Sequence, residues 1–220
     1  VTLFQEKELD YSLQLVNGDT EDVLAKREWD ESTYLFVGPL GRSQFRQWLV
    51  GRSFRKILES VSSPIFYARE ARLPIKRILV CFSGLGNISN AEKIGLEKGK
   101  RAGAEVKFLH VVPPVESESL PSLEAEKKPE KIMDKKPAKT LKKAQEHAED
   151  KGIESNIVVR QGNIVQQICA ELKTQNYDLI CMGSYFSDPE NLRRHYAPNI
   201  TAEVAEAVDC PVLSVRASPL

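Results

Sequence analysis

The sequence repeats itself, and the repeat limits the folds that the chain can adopt. A segment from Leu13 and another from Ile157 follow one plan: an apolar run, a glycine with a polar residue after it, a helical stretch and a second apolar run. The second runs end at Gly38 and Gly183, and the copies close alike, with SPIFYAR and CPVLSVR. Chance matching would not keep such even spacing. The sequence therefore predicts two related units in one chain.

The second copy is complete and indicates the fold class. KRILVCFSG from Lys76 is a short apolar run that ends in Ser-Gly, typical of a buried parallel strand leading into a turn. Further strands are predicted from Val106 and at 157–160, 179–182 and 212–215, alternating with helices near 88–102, 164–174 and 199–208. Alternating strands and helices predict βαβ units with right-handed crossovers. We expect an α/β fold with a doubly wound, parallel, five-stranded sheet.

The first copy is shorter than the second. VTLF at its start matches VKFL from Val106, the second strand of the complete copy, so the first strand and helix have no counterpart. Only QEKELD separates Phe4 from Tyr11, which leaves no room for the long second helix. We predict an incomplete unit over 1–72 and a complete unit over 73–220. Because the chain begins at Val1 and not at a methionine, we expect a fragment or a processed form.

A charged, proline-containing segment interrupts the complete unit. It reads ESESLPSLEAEKKPEKIMDKKPAK and follows the strand that begins at Val106. Prolines among alternating charges are typical of a mobile loop, because such a segment cannot bury enough apolar surface to order itself. We predict that this loop spans residues 113–139 and that an ordered helix begins near Thr140.

Composition excludes several classes of function. Lys+Arg and Asp+Glu number 31 each, so no net charge attracts nucleic acid. No apolar run has the length of a transmembrane helix and no signal peptide opens the chain, so we expect a cytoplasmic protein without direct membrane insertion. The four cysteines form no CxxC pair and mostly lie in or beside apolar runs, which favours structural thiols over disulfides or metal ligands.

Catalytic chemistry is not indicated. The three histidines form no cluster with cysteines at metal-ligand spacing, and no Ser/His/Asp arrangement can be picked out. His110 ends a strand, where a strand-end residue beside a cleft is the simplest interpretation. GLGNIS from Gly84 opens a helix after a strand but lacks the third glycine of a dinucleotide fingerprint. We therefore expect no enzyme, although weak ATP hydrolysis stays open.

A glycine-rich and arginine-rich stretch follows the apolar run of the first copy. It reads GPLGRSQFRQWLVGRS from Gly38 and contains no carboxylate. In open parallel sheets ligands bind beyond the carboxyl ends of the strands, and glycines let backbone N–H groups approach an anion. A helix predicted to begin near Ser53 would add its dipole. The alternative is a Gly-Pro turn followed by a solvated basic helix.

These segments together resemble the universal stress protein family. The resemblance rests on ILVCFSG, VKFLHVV, the Gly162 turn, DLICMGS and CPVLSVR, and it covers 76–217 in full and 1–70 in part. Fused pairs are a known form in that family. Its nucleotide-binding members carry Gly-x2-Gly-x9-Gly followed by Ser or Thr. Gly38, Gly41 and Gly51 have that spacing, with Arg52 at the hydroxyl position and Ser53 one residue late.

The resemblance implies a site for ATP or AMP, with Mg²⁺ accompanying ATP. In the second unit the base would lie near Ser83, Gly84, Val111 and Val112, and the phosphates near Gly183, Ser184, Asn199, Ile200 and Thr201. In the first unit the anion would lie at Gly38, Gly41, Gly51 and Ser53. The second unit departs from the family pattern because Phe186 replaces a glycine, and no aspartate ends its first strand.

The resemblance also implies function and assembly. A tandem universal stress protein would be a non-catalytic stress-response sensor or regulator. The last strands of the two units would pair antiparallel as an internal pseudo-dimer, burying Ile65, Phe66, Val212 and Leu213, and a homodimer is a further expectation. Two alternatives stay open at this point. One is the cytosolic regulatory tail of a membrane transporter, and the other is a degenerate protein-binding module without nucleotide.

Overall fold

One seven-stranded sheet organises the chain. The computed structural model describes residues 10–29, 33–38, 47–70, 72–82, 90–112, 135–184 and 200–216, with the backbone alone over 47–53 and 135–137. The strands are β1 (Leu35–Val37), β2 (Ile65–Tyr67), β3 (Arg77–Phe82), β4 (Glu105–Val112), β5 (Ser155–Gln161), β6 (Leu179–Ser184) and β7 (Val212–Arg216). The helices are α1 (Thr20–Ala25), α2 (Gln47–Ser60), α3 (Asn90–Ala102), α4 (Lys135–Asp150), α5 (Ile164–Leu172) and α6 (Ile200–Ala207).

The five strands β3 to β7 confirm the predicted parallel, doubly wound sheet. They lie in the order β7-β6-β3-β4-β5, and every neighbouring pair among them is parallel. From the central β3 the chain passes to β4 and β5 on one side and then returns to β6 and β7 on the other. The strand order therefore reverses between β3 and β6, which is where open α/β sheets form a ligand crevice.

The strands β1 and β2 extend this sheet beyond β7. β2 pairs antiparallel with β7 and places Phe66 opposite Leu213, so the predicted pairing of the two closing strands is confirmed. Ile65, Val212 and Leu213 are buried, and Phe66 is half-buried. Alone, β2 and β7 would each be an exposed edge of a sheet. By pairing, each strand covers the edge of the other.

The pair β1–β2 has the same register as the pair β6–β7. Phe36 lies beside Phe66 in the first pair, and Cys181 lies beside Leu213 in the second. In the alignment of SPIFYAR with CPVLSVR, Phe66 and Leu213 are equivalent, and these two residues face each other across the antiparallel pair. An approximate two-fold axis therefore passes between them and relates Phe36 to Cys181.

Helices cover the two faces of the sheet unequally. One face packs against α1, α2, α5 and α6 in a core that includes Phe54, Ile57 and Ile168. The other face packs against α3 and α4 in a core that includes Leu96 and Leu141. Since α1 and α2 precede β3 in the chain and α3 and α4 follow it, the first face is the one that the described helices of both halves cover.

Small residues let α3 lie close to the sheet. A Cβ on Gly95 would come within 2.7 Å of Val80 Cγ2, and a Cβ on Gly99 within 2.6 Å of Val106 Cγ2. Real Cβ atoms do not approach other atoms so closely, so only glycine fits at these two positions without movement. The short distance between helix and strands follows directly from these residues.

The predicted C-terminal boundary of the loop 113–139 is wrong. Helix α4 begins at Lys135 and not near Thr140, so residues 135–139 are helical. Pro137 lies in the first turn, where its missing N–H removes no bond within the helix. Residues 113–134 lie outside the described part of the chain.

The predicted start of α2 near Ser53 is also wrong. The helix begins at Gln47, so Gly51 and Ser53 lie in its second turn. Backbone N–H groups beyond the first turn donate to the carbonyl four residues earlier and are not available to a ligand. Gly51 is therefore part of a helix and not of an anion-binding loop.

The apolar run at Leu13, the counterpart of β5, forms no strand. Leu13 and Leu15 are 83% and 99% exposed, and residues 10–17 form neither helix nor strand. In the complete unit β5 pairs with β4. The equivalent partner would be the strand predicted at Val1–Phe4, which lies outside the described residues.

Candidate functional site

The carboxyl ends of β3, β4 and β6 meet at one edge of the sheet. The register places Phe82 of β3 beside His110 of β4, and Cys81 beside Met182 of β6. Val112 and Ser184 end the two outer strands at this edge. Two strand spacings, about 10 Å, separate them. Four of the predicted site residues therefore share the edge at which the strand order reverses: Val111, Val112, Gly183 and Ser184.

Gly183 leaves open space at the end of β6. A Cβ placed on Gly183 would meet no atom of the described residues within 4 Å. Thr201, in the first turn of α6, donates a hydrogen bond from Oγ1 to the carbonyl oxygen of Gly183 at 3.3 Å. Thr201 is buried, so this contact holds the start of α6 against the strand end. The structure therefore brings the predicted residues Gly183, Ile200 and Thr201 together. The Thr201 hydroxyl is bonded to the carbonyl of the strand residue Gly183.

His110 lies at the same edge and is buried. Its Nδ1 is 3.0 Å from the carbonyl oxygen of Phe82, and its ring meets the Phe82 ring edge-on, with centroids 5.8 Å apart. A carbonyl only accepts hydrogen bonds, so Nδ1 is the donor in this contact. The sequence placed His110 at a strand end but did not include it among the site residues. The feature that could have identified His110 as a site residue is its position beside Phe82, the last residue of the neighbouring strand β3.

The wall formed by β4 is apolar. Val111 is buried against the core beneath α5 and α6, and the Val112 carbonyl accepts a hydrogen bond from the Gly162 N–H at 3.0 Å. Gly162 has φ of 136°, a conformation that side-chain-bearing residues rarely adopt. Asn163 then caps α5, because its side chain accepts a hydrogen bond from the Gln166 N–H. The predicted Gly162 turn therefore closes this side of the edge.

The site predicted in the first unit lies at the opposite edge. β1 runs antiparallel to β6, so Gly38 at the end of β1 lies level with the start of β6. A Cβ on Gly38 would also meet nothing within 4 Å. The side chain of Ser53 is not described. Ser83, Gly84, Asn199 and Gly41 lie outside the described residues.

A cavity of about 620 Å³ lies beside Gly38. Its walls are mainly apolar, and Arg72, Lys98 and Asp178 are the charged residues on it. Arg72 donates to the Tyr177 carbonyl at 2.8 Å, and Asp178 accepts the N–H groups of Lys76 and Arg77. Two of the three charged side chains are thus already bonded to the protein. The cavity has the character of an apolar surface and not of a phosphate site.

The cysteines near these edges are not activated. Burial raises the pKa of Cys81, at the end of β3, far above its ordinary value, and raises the pKa of Cys181 and Cys210 to about 12. All three thiols therefore stay protonated near neutral pH, and only a thiolate is a good nucleophile. Within the described ranges no cluster of His, Cys, Asp and Glu could hold a metal ion.

Comparison with known proteins assigns the family. A sequence model of the universal stress protein family matches residues 74–216, which is more than half of the chain. The chain belongs to this family. The predicted resemblance is therefore confirmed, and the matched range coincides with the strands β3 to β7 that form the parallel sheet.

Solved structures agree with this universal stress protein fold. A universal stress protein from Archaeoglobus fulgidus matches with 19% identity and a TM-score of 0.59, over 84% of this chain and 61% of that one. A functionally unknown protein from Pseudomonas aeruginosa PAO1 matches with 11% identity and a TM-score of 0.64, over 98% of this chain and 75% of that one. At such identities the likeness shows the fold alone.

The Archaeoglobus structure is longer than this chain, which spans only about 61% of its length. A universal stress protein solved in complex with cAMP matches with 16% identity and a TM-score of 0.48, over 66% of this chain and 98% of that one. No significant match was found among curated proteins. Across the described helices, none is both long enough and apolar enough to cross a membrane.

Proposed function

We propose that this universal stress protein consists of two fused units, 1–72 and 73–220, and binds ATP or AMP at the edge formed by β3, β4 and β6. In this proposal it acts as a non-catalytic, cytoplasmic stress-response regulator. The observation that carries the proposal is the open space at Gly183, at the point where the strand order reverses and beside the start of α6. The repeated register about Phe66 and Leu213 supports the division into two units and an internal pseudo-dimer.

The phosphates lie at Gly183, Ser184 and the first turn of α6. The first N–H groups of a helix have no partner within the helix, and its dipole favours an anion by about 0.3–1 kcal/mol. Ile200 and Thr201 form this first turn, and the Thr201–Gly183 hydrogen bond fixes its position. Asn199, the residue before the helix, is suited to donate its side-chain amide to phosphate as well as to cap the helix.

The base lies against Val111 and Val112, with Ser83 and Gly84 on its other side. Val111 is buried and Val112 is half-buried at this end of β4, and ligand sites of this kind combine apolar walls with few polar groups. The imidazole of His110, at the same edge, is one such polar group. Mg²⁺ would accompany ATP through its phosphates, as is usual for that ion.

Calorimetry with ATP and AMP on two matched variants tests the proposal. Gly183→Val fills the open space at β6, and Gly38→Val makes the same change at the opposite edge, where a Cβ is equally free. We expect Gly183→Val to weaken binding by about tenfold or more, because its side chain occupies the phosphate position, and Gly38→Val to change it by less than about twofold. The reverse result would move the site to the first unit. No measurable affinity in the wild type would leave the protein-binding module as the function.

A further inference from the structure

Helix α6 connects the candidate site with the proposed first unit. At its start Thr201 donates a hydrogen bond to the carbonyl of Gly183. At its end Arg69, which follows β2 in the proposed first unit, donates from Nη2 to the carbonyl of Glu206 at 2.8 Å. Thr201 and Glu206 are only about 8 Å apart along the helix axis. Backbone hydrogen bonds join the two turns between them, so a displacement of the last turn also displaces the first.

Arg69 bonds a carbonyl that the helix itself cannot satisfy. The last four carbonyl groups of a helix have no partner within it, and the helix dipole favours a cation beside them. Because α6 ends at Ala207, the Glu206 carbonyl is one of these groups. The Arg69 guanidinium also lies 3.5 Å from the carboxylate of Asp209, two residues beyond the helix. Arg69 therefore holds both the last turn of α6 and the segment that follows it.

The buried face of α6 also contacts the proposed first unit. α6 packs against α2 as well as against α5 and β6, and Ala202 and Ala205 share a core with Ile57 and Leu58 of α2. Apolar contacts of this kind are not directional, so they hold the helix against the sheet without fixing its position along its own axis. Hydrogen bonds depend on both distance and angle. The bonds at the two ends of α6 therefore fix where its first turn lies.

We propose that Arg69 is a positioning residue for the nucleotide site and raises its affinity for ATP or AMP. This inference rests on the proposed binding of nucleotide phosphate at Gly183 and the first turn of α6. Arg69 lies at the other end of the helix and does not touch the ligand. By holding that end, it keeps the first N–H groups of α6 at hydrogen-bonding distance from the phosphate. The proposed first unit thus contributes to a site that lies in the second.

Coupling between the Arg69 contact and the ligand is reciprocal. If the contact raises the affinity for nucleotide by some factor, bound nucleotide strengthens the contact by the same factor. The start of α6 is therefore more firmly held with ATP bound than without it. The amides of Val204 and Ala205 report this, because they donate to the carbonyl groups of Ile200 and Thr201 in the first turn. Their hydrogen exchange measures the opening of that turn directly.

Calorimetry with ATP and AMP on variants of the full 220-residue protein tests the proposal. We expect Arg69→Ala to weaken binding by about fivefold, at the lower end of coupling between sites, because the contact is partly exposed. Arg69→Lys keeps a cationic donor for the carbonyl and should stay within about twofold of the wild type. Arg72→Ala is the matched control. It removes an arginine bond of the same 2.8 Å length, to the carbonyl of Tyr177 and not to α6, and should change the affinity by less than about twofold.

Hydrogen exchange separates positioning of α6 from a general loss of stability. Without nucleotide, we expect the amides of Val204 and Ala205 to exchange at least about threefold faster in Arg69→Ala than in the wild type, and at the wild-type rate in Arg72→Ala. ATP should slow their exchange in the wild type and slow it less in Arg69→Ala. Thermal unfolding checks that each variant is folded.

The possible failures of this inference and of the proposed function differ. No binding of ATP or AMP by the wild type would overturn the proposed function and this inference with it. Binding by the wild type that Arg69→Ala leaves unchanged would overturn this inference alone. Equal weakening in Arg69→Ala and Arg72→Ala would show a general loss of stability and would also contradict it. So would weaker binding in Arg69→Ala with unchanged exchange at Val204 and Ala205, because Arg69 would then not act through α6.

Discussion

Arg160 and Glu171 form a partly buried ion pair in which Arg160 donates from Nη2 to Glu171 Oε2 at 2.6 Å and from Nε at 2.9 Å. Glu171 is only 2% exposed, and its other oxygen accepts a hydrogen bond from the Tyr177 hydroxyl at 2.6 Å. The pair joins β5 to the end of α5. Burial by itself raises the pKa of the Glu171 carboxyl, but the hydrogen bonds from Tyr177 and Arg160 outweigh burial and hold the pKa below its ordinary value.

The lowered pKa of Glu171 predicts loss of stability in acid. A carboxyl group with a lower pKa in the folded than in the unfolded state stabilises the fold above the unfolded value of about 4.3. That contribution disappears as the pH falls through the folded pKa. We expect the free energy of unfolding in urea to lose this contribution below about pH 4.3. Glu171→Gln should be less stable at pH 7 and should lose less stability on acidification, and an unchanged pH profile in this variant would contradict the prediction.

Arg160→Ala tests the same pair at constant pH. The substitution leaves the Glu171 carboxylate buried without its main cationic partner, so we expect the free energy of unfolding to fall by about 2–4 kcal/mol at pH 7. The matched control is Arg55→Ala, which removes an exposed pair with Glu59 at 2.9 Å. Its expected effect is below about 1 kcal/mol, because solvent screens that pair. Equal losses in the two variants, measured by urea unfolding, would show that burial of the pair has no special effect.

The close packing of α3 on the sheet predicts a large effect from one methyl group. Gly95→Ala places a Cβ 2.7 Å from Val80 Cγ2, and Val80 is completely buried and cannot move away easily. We expect a loss of about 1–3 kcal/mol, although alanine favours a helix more than glycine does. Gly183→Ala is the control, since its Cβ meets nothing within 4 Å and should change the free energy of unfolding by less than about 0.5 kcal/mol. A Gly95→Ala protein as stable as the wild type would contradict the observed distance between helix and strand.

Local patterns predicted the complete unit well because each strand and helix there has its own periodicity. β3 and β6 are largely continuous apolar runs, and the resemblance to the universal stress protein family implied that β2 and β7 would pair. The start of α2 at Gln47 was missed because Arg46, the residue before it, is not a capping residue. The start of α4 at Lys135 was missed although Asp134 before it is a common N-cap residue, because the prolines and charges around it favoured a loop. The run at Leu13 was misleading for a different reason. A strand needs a partner, and pairing is decided by residues distant in the chain.

The candidate site was predictable only in part. Strand ends and glycines placed Gly183 and Val112 at one edge, since parallel strands bring their carboxyl ends together. The hydrogen bond from Thr201 to Gly183 and the contact of His110 with Phe82 depend on side-chain geometry that no sequence pattern contains. The 70% exposure of Phe36 could not be predicted either, because its apolar sequence context is that of a buried strand.

The raised pKa values of three thiols, the buried Cys181 and Cys210 and the half-buried Cys81, predict slow alkylation of the folded protein. Near pH 8, Cys181 and Cys210, with pKa values of about 12, are almost entirely protonated, and burial raises the pKa of Cys81 in the same direction. We therefore expect iodoacetamide to modify these three residues at least about tenfold more slowly in the native protein than in urea, because the thiolate is the reacting form. Peptide mapping at successive times identifies each modified residue, and the half-buried Cys169 is the internal control. Native-state modification of Cys181 at the denatured rate would contradict both the raised pKa and the covering of that residue by α3.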